Sequence, residues 1–142
     1  MQMEQRPDKG RQQSRVLIVE DDADSLALMG KFLSQISLDG IPTTTCAAAH
    51  YAFETLGSCD LVIADAHLPD GDGVDLVQSL KRRYSCATVI TSGDDMPVDG
   101  LPEGVDLWLV KPISFEHLTR AVAKLIDDRP MSERVRDHHA RA

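Results

Sequence analysis

A doubly wound α/β domain with one parallel sheet is predicted by three observations. Short, nearly continuous apolar runs recur along the chain, as expected of strands buried on both faces. Between them lie segments whose apolar residues repeat at three and four positions, the helical spacing. The two patterns alternate five times, which implies βα units and a sheet covered on both sides. Right-handed crossovers leave few topologies for such a chain, and ligands in open sheets of this kind bind beyond the carboxyl ends of the strands.

The first run is Val16-Leu17-Ile18-Val19, ending in Glu20-Asp21-Asp22. Leu26, Met29, Phe32, Leu33 and Ile36 then follow at helical spacing. Gly40-Ile41-Pro42 should break that helix, and the β-branched Thr43-Thr44-Thr45-Cys46 is expected as the second strand. Ala47 to Leu56 reads as a short helix stopped at Gly57. Leu61 to Ala64 is the third strand, ending at Asp65. A Pro/Gly-rich loop precedes a helical pattern over Val74 to Tyr84. Thr88 to Thr91 is the fourth strand, ending at Ser92-Gly93, and Asp106 to Val110 the fifth, ending at Lys111-Pro112. Ser114 is an expected N-cap for a last helix that buries Phe115, Leu118, Val122, Leu125 and Ile126.

A chain of 142 residues is the size of one domain. Residues 1–14 read as a disordered arm, 15–128 as the folded body and 129–142 as a tail. The formal charge of −8 divides unevenly: the arm carries +1, the tail +2 and the body −11. A body that acidic is repelled by a phosphate backbone, which argues against direct nucleic-acid binding. No apolar stretch reaches the length of a membrane span, and the polar start lacks a secretory h-region, so a cytoplasmic protein is expected. Cys46, Cys59 and Cys86 have no pairing pattern and are expected as reduced, packed thiols. The adjacent His138 and His139 read as exposed tail rather than as metal ligands.

The predicted strands end in Glu20-Asp21-Asp22, Asp65, Ser92 and Lys111, and a parallel sheet puts these ends on one edge. Converging carboxylates raise one another's ionisation cost unless a cation binds. A hard divalent ion such as Mg²⁺ suits oxygen ligands and keeps room for phosphate oxygens. A carboxylate there could become an aspartyl phosphate, with Lys and Ser holding the phosphoryl oxygens. Asp22, Asp24, Asp70 and Asp72 read as solvated loop acids and helix caps. Thr91 and Ser92 point to opposite sides of an alternating strand, so only one of the two hydroxyls can face the site.

These pieces together carry a resemblance. V-L-I-V-E-D-D (Val16 to Asp22), L-V-I-A-D-A-H-L-P-D-G-D-G (Leu61 to Gly73), V-I-T-S-G (Val89 to Gly93) and L-W-L-V-K-P (Leu107 to Pro112) stand in order, each at a strand end. The chain resembles the receiver domains of two-component response regulators, the CheY-like family, from about Arg15 to Asp128. The resemblance implies the flavodoxin-like strand order 2-1-3-4-5 that CheY exemplifies. It implies Asp65 as phosphoacceptor and Mg²⁺ (or Mn²⁺) held by Asp21, Asp65 and the His67 backbone carbonyl, with Glu20 acting through water. It implies Ser92 and Lys111 as ligands of the phosphoryl group, a cis bond before Pro112, and Trp108 as the aromatic switch. His67 and Asp94 stand where the family tunes hydrolysis of the acyl phosphate.

The implied phosphodonor is a sensor histidine kinase or a histidine phosphotransfer protein, and the implied output is contact with a downstream protein target. The family is a signalling domain with self-phosphorylation and autodephosphorylation chemistry rather than an enzyme. A non-phosphorylated scaffold is the alternative, as is a fragment of a larger DNA-binding regulator or hybrid kinase. The short tail favours a stand-alone receiver. Two other matches fit less well. The cobalamin motif D-x-H-x-x-G begins at Asp65-Ala66-His67, but Gly71 comes one residue late. Haloacid-dehalogenase-type phosphatases need a second Asp where this chain has His67.

One departure is expected. The family's fourth helix falls on Asp94 to Gly104, where two prolines, glycines and few apolar residues oppose a helix. That helix is expected to be shortened or absent. The family pairs through that face, so a monomer or weak dimer is expected.

Overall fold

The computed structural model describes residues 14–128. Residues 1–13 of the arm, the tail and the His138-His139 pair lie outside the described residues. Five parallel strands form one sheet: β1 (Arg15–Val19), β2 (Asp39–Thr43), β3 (Leu61–Asp65), β6 (Ala87–Ser92) and β7 (Leu107–Val110). β4 (His67–Leu68) and β5 (Gly71–Asp72) form a small antiparallel ribbon after β3. The helices are α1 (Ala23–Gln35), α2 (Cys46–Leu56), α3 (Gly73–Arg83) and α4 (Phe115–Asp127). The sheet order is β2-β1-β3-β6-β7, which is the predicted 2-1-3-4-5 when the sheet strands alone are counted.

Each central strand divides its side chains between two cores. Leu17, Val19, Val62, Ala64 and Ile90 meet Phe53 of α2 and Leu76, Val77 and Leu80 of α3. Val16, Ile18, Leu61, Ile63 and Val89 meet Met29 and Leu33 of α1 and Leu118 and Val122 of α4. This alternation explains the unbroken apolar runs, since both sides of each strand face a helix layer. Each fully buried Leu, Ile, Val or Phe contributes about 1.5–3 kcal/mol. That exceeds any propensity difference between the residues concerned.

The second strand differs from expectation. It is Asp39–Thr43, with Gly40-Ile41-Pro42 inside it, while Thr45 caps α2 and Cys46 opens that helix. The reason is its place at the edge of the sheet. Asp39 N donates to Ser14 O and Thr43 O accepts from Glu20 N, so the odd-numbered residues of β2 face β1. Pro42 therefore turns its nitrogen to the open edge, where no ladder bond is lost. Gly40 allows α1 to approach: a Cβ there would stand 3.1 Å from Ile18 Cδ1 and 3.5 Å from Leu33 Cδ1. Propensity favoured the threonine run, and packing overrode it.

Among the described residues no helix lies between Ser92 and Leu107, as the sequence predicts. The connection is held by side chains instead. Thr88 Oγ1 donates to Gly104 O, and Gln78 Nε2 donates to Glu103 O at 2.7 Å. Asp106 accepts from Thr88 N at 2.9 Å and pairs with Lys81. Without a helix over this part of the sheet, Met96, Val98, Leu101 and Val110 remain exposed.

Candidate functional site

The site lies at the carboxyl edge of β1, β3, β6 and β7. β1 ends in apolar core at Val19, and the next residue, Glu20, is only 1% exposed despite its charge. Asp22 is the N-cap of α1, its carboxylate accepting from Ser25 N at 2.9 Å. This cap turns the chain after β1 and leaves Glu20 and Asp21 beside β3. Asp65, the last residue of β3, is 9% exposed.

Lys111 joins the acids. Its Nζ lies 2.7 Å from Asp65 Oδ2 and 3.1 Å from Glu20 Oε1. The other Asp65 oxygen accepts from His67 N at 3.1 Å, and the other Glu20 oxygen from Asp22 N at 3.2 Å. The Lys111–Pro112 peptide is cis, as the resemblance implies. Ligand atoms of Glu20, Asp21 and Asp65 lie within 4.8 Å of one another, a set of hard oxygen donors that can hold a divalent cation.

The electrostatics of the three partners differ. Burial is the largest influence on Glu20 and, with the Asp65 charge, pushes its carboxyl above the ordinary range, outweighing Asp22 N–H and Lys111. Burial also acts to raise Asp65, but Lys111 and the His67 N–H hold it below the usual value. Lys111 is raised: burial opposes its charge, and its two carboxylate partners outweigh burial. Asp65 is thus ionised and oriented by two donors. Glu20, Asp21, Asp65 and Lys111 together carry a formal charge of −2, which favours a cation.

The remaining residues singled out in the sequence flank this cluster. Ser92 ends β6, where Lys111 N donates to its carbonyl at 2.7 Å. Its Oγ accepts from Asp94 N at 3.0 Å. The half-buried Trp108 donates Nε1 to Asp94 O at 3.1 Å. Ser92 and Trp108 therefore meet at one residue, Asp94. The exposed His67 ring and Asp94 carboxylate stand 3.9 Å apart across the mouth of the site.

Two features escaped the sequence reading. Gly73, the last residue of D-G-D-G, has no room for a side chain: a Cβ would lie 2.0 Å from Asp65 O. Asp70, read only within a group of solvated loop acids and helix caps, caps a distant helix: it accepts from Cys46 N at 2.7 Å and Ala47 N at 3.0 Å at the start of α2. Asp70 carries no local signal, because its partners lie 24 and 23 residues away. Asp72 behaves as expected, capping α3 through Val74 N at 2.7 Å. None of the three thiols forms a disulfide. Burial pushes Cys59 up to about 12, and burial with the neighbouring Asp70 pushes Cys46 up to about 11, so neither is a thiolate at neutral pH.

A parallel sheet of order 2-1-3-4-5, with three acids and a lysine at its carboxyl edge, defines a CheY-like receiver. The chain belongs to the response regulator receiver domain family, whose model matches residues 16–123. It is 32% identical to the transcriptional regulatory protein BasR of Escherichia coli over 118 residues, 79% of this chain and 52% of BasR. It is likewise 32% identical to the transcriptional regulatory protein PrrA of Mycobacterium tuberculosis over 123 residues, 84% of this chain and 52% of PrrA. With the two-component response regulator ORR21 of Oryza sativa it shares 31% identity over 111 residues, 73% of this chain and 16% of ORR21. The chain thus spans about half of BasR and PrrA and about a sixth of ORR21. Among solved structures it is similar to the signal receiver domain of a LuxO repressor protein from Vibrio parahaemolyticus. That likeness has a TM-score of 0.74 at 25% identity and covers 82% of this chain and 92% of that one. The CheY-like receiver domain from Methylobacillus flagellatus matches with a TM-score of 0.70 at 25% identity, covering 80% and 99%. No described helix is long and apolar enough to cross a membrane.

Proposed function

We propose that this receiver is a cytoplasmic phosphorylation switch with Asp65 as acceptor. The observation that carries the reading is the Lys111 ammonium between Asp65 and Glu20, with Asp21 beside them, at the carboxyl edge of the sheet. The donor set is all oxygen, which suits Mg²⁺ or Mn²⁺; Asp21, Asp65 and the His67 carbonyl would hold the ion, with Glu20 behind a water. When bound, the ion neutralises charge on the transferring phosphoryl group.

The ionised Asp65 attacks the phosphorus of a phosphohistidine in line. An O–P bond forms, the P–N bond breaks, and the departing imidazole takes a proton from solvent. Little covalent help is needed, because positioning and charge neutralisation carry such transfers. The Lys111 ammonium moves its hydrogen bond from Asp65 Oδ2 to a phosphoryl oxygen, and the Ser92 hydroxyl donates to another. Turning Ser92 toward the phosphate draws on the Asp94 contact that it shares with Trp108, so the segment after β6 changes its anchoring. This is a population shift driven by differential contacts. Water then attacks phosphorus, the acyl-phosphate O–P bond breaks, and the Asp65 carboxylate is restored.

The partners on this reading are a histidine kinase or phosphotransfer protein as donor and a downstream protein as target. Residues 15–128 form the switch, with arm and tail outside it. The retained acid set and Lys111 speak against a scaffold without phosphorylation.

Acetyl phosphate with Mg²⁺ should label the wild type, and Asp65→Asn should abolish labelling. Fluorescence of Trp108, the one tryptophan, should change on adding Mg²⁺ and then beryllofluoride. An unlabelled wild type without a fluorescence change rejects the switch. Labelling that survives in Asp65→Asn rejects Asp65 as the acceptor.

A further inference from the structure

The turn of the β4–β5 ribbon places Asp70 against a helix to which it does not belong. Its two carboxylate oxygens accept from Cys46 N and Ala47 N, the first two amides of α2. Helix α2 already has its own cap, since Thr45 Oγ1 accepts from Ala48 N at 3.0 Å. That side chain serves the third amide only. Asp70 satisfies the two that would otherwise face water.

The contact is close as well as polar. A Cβ on Gly71 would stand 3.2 Å from Cys46 Sγ, so the ribbon turn packs directly on the first turn of α2. The two amide donors hold the Asp70 carboxyl below its usual range, as expected of an acid engaged in its ionised form. The ribbon is thus fastened at both ends. At its base Gly73 N donates to Ala66 O at 2.9 Å, and His67 pairs with Asp72. At its tip it is tied to α2 by Asp70. His67 stands in the base pair of the ribbon, next to Asp65, and its amide orients Asp65 Oδ1.

We propose that Asp70 is a positioning residue for the acceptor site. By clamping the ribbon tip to α2 it sets the place of the His67 backbone relative to Asp65. Loss of the clamp lets the ribbon pivot about its base, which loosens both the His67 N–H on Asp65 and the carbonyl offered to the cation. This inference rests on the reading of Asp65 as acceptor. Groups that orient a metal or reacting carboxylate from behind typically change affinity or rate by roughly 10–100-fold when removed.

The test compares Asp70→Ala and Asp70→Asn with Thr45→Ala, which removes the other α2 cap and leaves the ribbon alone. Both alanine variants should lower Tm by a similar few degrees. Hydrogen exchange at the His67 and Gly73 amides should quicken in Asp70→Ala and stay unchanged in Thr45→Ala. Mg²⁺ affinity and the rate of acetyl-phosphate labelling at saturating Mg²⁺ should fall about tenfold in Asp70→Ala. They should hold within twofold in Thr45→Ala, with Asp70→Asn between. Equal exchange, affinity and labelling in Asp70→Ala and Thr45→Ala would overturn the positioning role while leaving Asp65 as acceptor. A wild type that neither binds Mg²⁺ nor takes label overturns both.

Discussion

Replacing Gly73 by alanine should displace Asp65 itself. The added Cβ would lie 2.0 Å from Asp65 O, 2.9 Å from Asp65 C and 3.1 Å from Ala66 Cα. All three obstacles are backbone, so no side chain can rotate aside. Carbon and oxygen need more than 3 Å, so the start of α3 and the end of β3 must separate by roughly 1 Å. Overpacking of this kind costs ~1–3 kcal/mol. The strained Gly73 N to Ala66 O bond adds ~1 kcal/mol, and the helix preference of alanine returns about 0.5–1 kcal/mol. The net loss is about 1–3.5 kcal/mol, or roughly 5–15 °C in Tm for a domain of this size. A 1 Å shift at a reacting group can also slow transfer about 100-fold. Gly30→Ala is the control, because nothing lies within 4 Å of its added Cβ in the interior of α1. That variant should gain about 0.5–1 kcal/mol. Urea unfolding and acetyl-phosphate labelling measure both quantities. A Gly73→Ala protein with wild-type stability and labelling would refute the reasoning that backbone contact at this glycine sets the place of Asp65.

Other substitutions probe the remaining terms. Glu20→Gln should stabilise the cation-free protein at neutral pH. Its folded pKa is raised, so its favourable contribution is complete below its unfolded value near ~4.3 and is lost as pH rises. The gain should vanish below about pH 4, and urea midpoints that show it persisting there would contradict this sign. Asp65 is the reverse case: its folded pKa is lowered, so its contribution is present above ~3.9 and fades as pH falls through the lower folded value. Comparing wild type with Asp65→Asn across that range should show the difference closing in acid. Lys111→Met should leave Glu20 and Asp65 facing each other without their shared cation, lowering stability without Mg²⁺ and slowing labelling at least tenfold. Asp72→Ala should cost ~1 kcal/mol through loss of the α3 cap, measured by urea unfolding, with labelling little changed.

Legibility in the sequence followed the range of the interaction. The four apolar strands are runs of consecutive residues, and Asp22, Asp72 and Ser114 cap helices a few residues ahead. Such patterns are written locally. The absence of a helix after Ser92 was also legible, because proline and glycine act on their own backbone. The second strand was misplaced because its stability comes from an edge position and from α1 packing on Gly40. Asp70 looked like solvent-facing loop because its partners stand 23 and 24 residues away.

By itself, the sequence determined the fold class, the order of elements and the acids and lysine that gather at one sheet edge. Periodicity and strand ends are properties of neighbouring residues, and parallel pairing carries those ends to the same side. Only the tertiary structure decided how the groups divide their work. It placed Lys111 between Asp65 and Glu20, turned Ser92 and Trp108 toward one residue, and tied the β4–β5 ribbon to α2 through Asp70. Those choices depend on distances between segments brought together by folding, and on burial that raises one carboxyl and lets a lysine lower another.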